Sequence, residues 1–155
     1  DENAGQSPIT CGAALYDPDN GENNAAEQGT ITDDDDDGMT ITAVLEGGDD
    51  VDWFTYFGDD TFLNNVTPTR ELTTVGALRL CKFAECEEGL FATEVTCPEG
   101  TAQARSPGGV PGCCGDDTFE LDLECLDTTN ENATIYMRVD QGQSDCTQYT
   151  IDFHF

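Results

Sequence analysis

Strict two-residue alternation is the pattern that most limits what this chain can become. Phe119, Leu121, Leu123 and Cys125 are interleaved with Glu120, Asp122 and Glu124, so an extended backbone puts an apolar row on one face and an acidic row on the other. Tyr149, Ile151, Phe153 and Phe155 alternate with Thr150, Asp152 and His154, and Ile135, Met137 and Val139 with Tyr136 and Arg138. Leu78 and Leu80 open a further run that ends at Phe83. Met39 to Leu45 and Val51 to Phe57 complete the set, with Gly29 to Thr32 and Glu71 to Val75 as weaker members. Clusters of Gly, Asp, Asn and Pro at 17–21, 46–50, 58–60 and 106–109 separate the runs, and twenty threonines add strand propensity. No stretch of about 12 residues carries helical periodicity with caps. The pattern predicts an all-β fold, an antiparallel jelly-roll-like sandwich of about eight short strands. Residues 1–28, polar and rich in Asn and Gly, are expected as an N-terminal arm or an edge strand leading into the domain, and 29–155 as the sandwich domain.

The eight cysteines are Cys11, Cys81, Cys86, Cys97, Cys113, Cys114, Cys125 and Cys146. None is in a Cys-x-x-Cys pair, and the single histidine, His154, leaves structural zinc without its usual ligand set. The reading is a disulfide framework in an oxidising compartment. Connectivity does not follow from sequence. Cys125 with Cys146 is the first pairing to expect, since one ends a strand and the other precedes one; vicinal Cys113 and Cys114 should reach different partners. Residues 86–114 hold four cysteines among Gly and Pro and read as a stapled loop inserted in the sandwich.

Charge narrows the partners. With 33 acidic and 5 basic residues in 155, the chain carries a formal charge of −28. A polyanion has no cations to offer nucleic acid, and anionic membranes repel it for the same reason. No apolar run has the ~18 residues of a membrane span, so direct membrane insertion is not expected. The chain starts at Asp1 with no basic segment followed by an apolar one, which fits a mature secreted or cell-surface protein whose signal peptide has been removed.

Gly29-Thr-Ile31, followed by Asp50-Val-Asp-Trp-Phe-Thr-Tyr-Phe57, resembles the bacterial pre-peptidase C-terminal domain, with Asp19-Asn-Gly-Glu22 to Ala26 as its Asn/Asp-rich lead and Tyr149-Thr-Ile-Asp-Phe153 as its closing strand. The resemblance spans roughly residues 15 to 155, and the many cysteines resemble secreted domains of myxobacteria. It implies a β-sandwich found at the ends of secreted enzymes and surface proteins, some of which bind calcium or collagen or assist secretion. This chain departs from the pattern in carrying the cysteine-rich segment 86–114.

Calcium is the sharpest site hypothesis. Asp33, Asp35, Asp37 and Gly38 form the opening of a calcium loop, in which hard oxygens at alternate positions enclose a cation. An EF-hand would need Glu where Val44 stands, and flanking helices, so that form is rejected. Asp17, Asp19, Asn20 and Glu22 with Asp50 and Asp52 form the second candidate set; the resemblance implies that the lead and the Asp-x-Asp turn share a cation. The plainer alternative is a solvated acidic surface, or adaptation to high salt. Catalysis has little support: no Gly-x-Ser-x-Gly, His-Glu-x-x-His or phosphate loop appears, and His154 reads as a solvent-facing strand residue. Trp53, Phe54, Tyr56 and Phe57 suggest a sugar platform, but on a strand one of their two faces must be core. The expectation is a non-catalytic extracellular structural or interaction protein, calcium-stabilised and self-assembling into a fibre through an arm such as 7–16 or through sheet edges. The alternatives are an adhesion module for a surface glycan or matrix protein, and an accessory domain of a secreted hydrolase.

Overall fold

The structure, a computed structural model, describes residues 18, 20–32, 38–60, 78–116, 121–126, 128, 131–143 and 145–155, and the backbone of 71–74. Among them are eleven strands: β1 (Ala26–Thr32), β2 (Met39–Leu45), β3 (Asp52–Asp59), β4 (Glu71–Thr74), β5 (Arg79–Cys86), β6 (Thr93–Thr96), β7 (Ala102–Arg105), β8 (Pro111–Gly115), β9 (Asp122–Cys125), β10 (Ala133–Asp140) and β11 (Thr147–Phe153). Two single 3-10 turns, Glu22–Asn24 and Leu90–Ala92, are the only helical pieces among these residues.

Six strands form one sheet in the order β1-β3-β10-β5-β8-β7, three form a second in the order β2-β11-β4, and β6 pairs with β9 as a two-stranded ribbon. The alternation explains the layering. Phe54 and Tyr56 of β3, Leu80 and Ala84 of β5, and Ile135, Met137 and Val139 of β10 face Ile41, Ala43, Tyr149, Ile151 and Phe153 of the three-stranded sheet in a single buried cluster. Leu121, Leu123 and Cys125 close the same core from the ribbon. This is the expected sandwich. Two close approaches seal it. A Cβ on Gly58 would land 2.0 Å from the Phe155 ring, and one on Gly112 would land 2.0 Å from the Lys82 carbonyl oxygen. Only glycine lets Phe155 lie on β3 and lets β8 press against β5.

Three expectations need correction. The large sheet is not wholly antiparallel: β1 runs parallel to β3. The intervening β2 belongs to the other sheet, so the chain crosses the sandwich and returns in the same direction, the long connection that parallel pairing requires. β1 also begins at Ala26, ahead of the strand start expected at Gly29, so the end of the lead is an edge strand of the large sheet. Finally, 86–114 is more than a loop, because it contains β6 and β7, and β8 begins within it; β7 and β8 extend the six-stranded sheet. The Gly-, Pro- and Cys-rich β8 lacks alternation, and covalent ties replace it.

Those ties are Cys81–Cys114 between β5 and β8, Cys97–Cys113, and Cys86–Cys125. Cys113 and Cys114 do reach different partners. Cys125 pairs with Cys86 and not with Cys146, because Thr93↔Cys125 register in the β6–β9 ribbon brings it beside the end of β5. Cys146 is disulfide-bonded as well.

Candidate interaction surface

Of the residues singled out as cation ligands, Asn20, Glu22, Asp50 and Asp52 are among the described ones, and each makes a hydrogen bond within the fold. Asn20 grips the start of β3 with both ends of its amide: Nδ2 donates to the Trp53 carbonyl at 2.9 Å, and Oδ1 accepts from the Trp53 N–H at 2.8 Å. The Glu22 carboxylate accepts from the Gly108 N–H at 2.6 Å. Asp50 caps its own turn, accepting from Glu46 N–H at 2.7 Å and Val51 N–H at 2.9 Å. Asp52 is fully buried and accepts a hydrogen bond from the Tyr149 hydroxyl. Asp17, Asp19, Asp33, Asp35 and Asp37, like the arm 7–16, lie outside the described residues. Among the described residues, no group of three or more His, Cys, Asp and Glu side chains is arranged to hold a metal ion.

A different carboxylate grouping appears that sequence spacing could not reveal. Asp60 Oδ2 accepts from the Glu131 N–H at 2.9 Å, while Asn132 Oδ1 accepts from the Asp60 N–H at 2.7 Å. Partial burial, then the charges of Asp60, Glu124 and Asp122, push the Glu131 carboxyl above its ordinary value.

The outer face of the large sheet carries a second, smaller cluster of Trp53, Cys81, Phe83, Val110 and Cys114. Arg138 lies over it, 5.4 Å from the centroids of both the Trp53 and Phe83 rings, with Nη2 donating to Cys81 Sγ at 3.3 Å. Its Nε is 3.1 Å from Asp140 Oδ2, a charge contact and not an aligned hydrogen bond. Asp140 also receives a two-pronged pair from Arg79, at 2.8 and 2.7 Å. The hydrogen bonds Arg79 donates to Asp140 raise the Arg79 pKa, whereas burial lowers that of Arg138. The lead is tied beside this face by Asn20 on the Trp53 backbone and by Glu22 on the Gly108 N–H, and its Ala25 packs against the cluster. Of the aromatic run, Phe54 and Tyr56 belong to the core and Trp53 to this outer cluster, while Phe57 is half-buried and in neither.

At the far end of β5 the stapled segment presents an apolar tip. Gly89 N–H donates to Cys86 O at 2.8 Å and Ala92 N–H to Gly89 O at 3.1 Å, which closes the turn Leu90–Ala92. Thr93 Oγ1 donates to Gly89 O at 2.9 Å and accepts from Cys86 N–H at 2.8 Å, and Leu126 N–H donates to Ala92 O at 2.7 Å. With Cys86–Cys125 beneath it, this turn is braced from both sides. Its side chains are not covered: Phe91 is 103% exposed and Leu90 36%. Glu87, Glu88 and Glu94 are exposed beside them. Elsewhere on the segment, Val95, Gln103, Ala104, Arg105, Pro111 and Gly112 border a recess of about 220 Å³. Sequence reading missed both features. Leu90-Phe91 after Glu-Glu-Gly is a signal only once the chain is known to turn there.

Comparison with known proteins adds no relative: no family model, curated protein or solved structure matches this chain.

Proposed function

We propose that this chain is a non-catalytic extracellular structural and interaction module that self-assembles with the help of calcium. The observation that carries the reading is Phe91, an aromatic side chain held fully in solvent on a turn fixed by a disulfide and five hydrogen bonds. Loops with nothing to bind rarely fix an apolar tip so firmly, because exposing it gains nothing in water. A pre-ordered aromatic loses little conformational freedom when a partner covers it, which is the property of a binding anchor. The three described disulfides support an oxidising, extracellular setting, and no helix among the described residues is long and apolar enough to cross a membrane. Calcium enters through charge: copies carrying −28 each repel at close range unless cations gather between them. The likeness of Asp50–Phe57 to the pre-peptidase C-terminal domain belongs to this reading, since that motif leads into and forms β3. Light scattering across a concentration series, with millimolar calcium and with chelator, tests it. Association that calcium strengthens is the expected result, and a monomer throughout would refute it.

A second reading, an adhesion module for carbohydrate, draws on one observation. Arg79, Thr101, Asp116, Gln141 and Gln143 border a recess of about 540 Å³ beside β5 and β8. Gln141 is the non-glycine residue there with a left-handed backbone, φ 59°, a conformation that often marks a binding site. Arg79 is already matched by Asp140, so a neutral, hydroxyl-rich ligand suits the recess better than an anion. Saturation-transfer NMR with neutral oligosaccharides separates this reading from the first: transfer lost on Gln143→Ala supports it, and no transfer removes it.

A further inference from the structure

The exposed tip and the small recess are complementary in shape and in charge, yet they do not meet within one molecule, since Phe91 is fully exposed. The recess is bordered by apolar Val95, Ala104 and Pro111, by Gly112, and by polar Gln103 and Arg105. Its volume of about 220 Å³ accommodates a phenyl ring. Arg105 is exposed, and its Nη1 donates only to the Gly109 carbonyl, at 2.8 Å. Among the described residues it is the exposed cation with no carboxylate partner: Arg79 and Arg138 are matched by Asp140, and Lys82 is inside the core. The tip, for its part, is flanked by exposed Glu87 and Glu88.

We propose that Phe91 of one copy inserts into the Val95–Ala104–Pro111–Gly112 recess of a second copy, with Glu87 or Glu88 paired to Arg105 at the rim. This rests on the self-assembling reading above and names its contact. A phenyl ring over a guanidinium adds a cation–π term to the burial of the ring. The occupant is another copy because a chain this acidic has few places where an acidic, aromatic tip is welcome, and the recess is one of them. A tip entering a recess on the next molecule can repeat in two ways: reciprocal exchange closes an isologous dimer, and one-way, heterologous exchange closes a ring or runs on as a filament.

Two exposed substitutions test the pairing without touching the core. Phe91→Ser removes the tip but keeps the recess, and Arg105→Glu spoils the recess but keeps the tip. Sedimentation of the full chain at physiological ionic strength with calcium should show association in the parent. Each variant alone should associate at least about tenfold more weakly, as expected for loss of a central anchor. Mixed together they should form pairs capped at one copy of each, because only one tip–recess contact can form. Unchanged thermal midpoints establish that both variants fold. A mixture that fails to pair, while the parent associates, overturns the tip-in-recess contact and leaves self-assembly standing; that outcome would instead fit a tip-to-tip contact. A monomeric parent overturns both.

Discussion

Lys82 is fully buried on the core side of β5, with its Nζ donating to the Tyr56 hydroxyl at 3.2 Å and the Tyr56 hydroxyl donating in turn to the His154 carbonyl at 3.3 Å. Burial drives the Lys82 pKa well below its ordinary value and raises that of Tyr56. The unfolded chain therefore binds more protons than the folded one between the depressed pKa and about 10.4, so stability from this group is full above that range and is lost as pH falls through it. Lys82→Met should raise stability at pH 7 by about 1–3 kcal/mol, with the gain over the parent shrinking as pH approaches 10, since an apolar side chain of similar length removes the desolvation cost. Denaturant unfolding at several pH values measures it, and a destabilised variant at neutral pH would mean that the amine has a partner worth more than its burial costs. Glu131 has the opposite sign. Its carboxyl is raised, so the folded state binds the extra proton and the associated stability is lost as pH rises through the raised value. Glu131→Gln should therefore increase the thermal midpoint at neutral pH, and the increase should diminish with added salt as the neighbouring carboxylates are screened.

At the level of elements, the disulfides replace what hydrophobic alternation supplies elsewhere. Cys86–Cys125 closes a separation of 39 residues, and removing it by the double change Cys86→Ala and Cys125→Ala should cost about 4 kcal/mol by loop entropy. The same change should loosen the Leu90–Ala92 turn and speed amide exchange at Ala92 and Leu126, whose bonds brace it; exchange as slow as in the parent would mean the hydrogen bonds suffice. This division also explains what was legible. Met39–Leu45 is read to the residue as β2, and the runs around 51–57, 78–83, 135–139 and 149–155 recover β3, β5, β10 and β11: β10 and β11 because one face is core and the other is not, β3 and β5 because apolar residues also fill the outer cluster. β7 and β8 stayed hidden: Ala102-Gln-Ala-Arg alternates over only four residues with alanine as its apolar member, Pro111-Gly-Cys-Cys-Gly carries no period, and β8 is tied in by Cys81–Cys114, Cys97–Cys113 and the close approach at Gly112. The roles of Asn20 and Glu22 were hidden for a related reason. Polar spacing suggests ligands, whereas the fold uses these side chains to satisfy backbone N–H and C=O groups that a short lead over a sheet leaves open.

For the whole molecule, the charge and the apolar tip oppose each other. A formal −28 keeps copies apart at low ionic strength, while Phe91, the recess and Arg105 supply a short-range attraction that acts only on contact. Association should therefore strengthen on moving from low salt to about 0.15 M, and further with millimolar calcium, the reverse of a contact held by simple ion pairs. The measurement that tests this most directly is sedimentation velocity of the intact chain in calcium and again after chelation, at constant ionic strength. The account predicts oligomers or longer particles in calcium that shift toward the monomer on chelation. A single monomer boundary in both conditions, at every concentration tested, would contradict it.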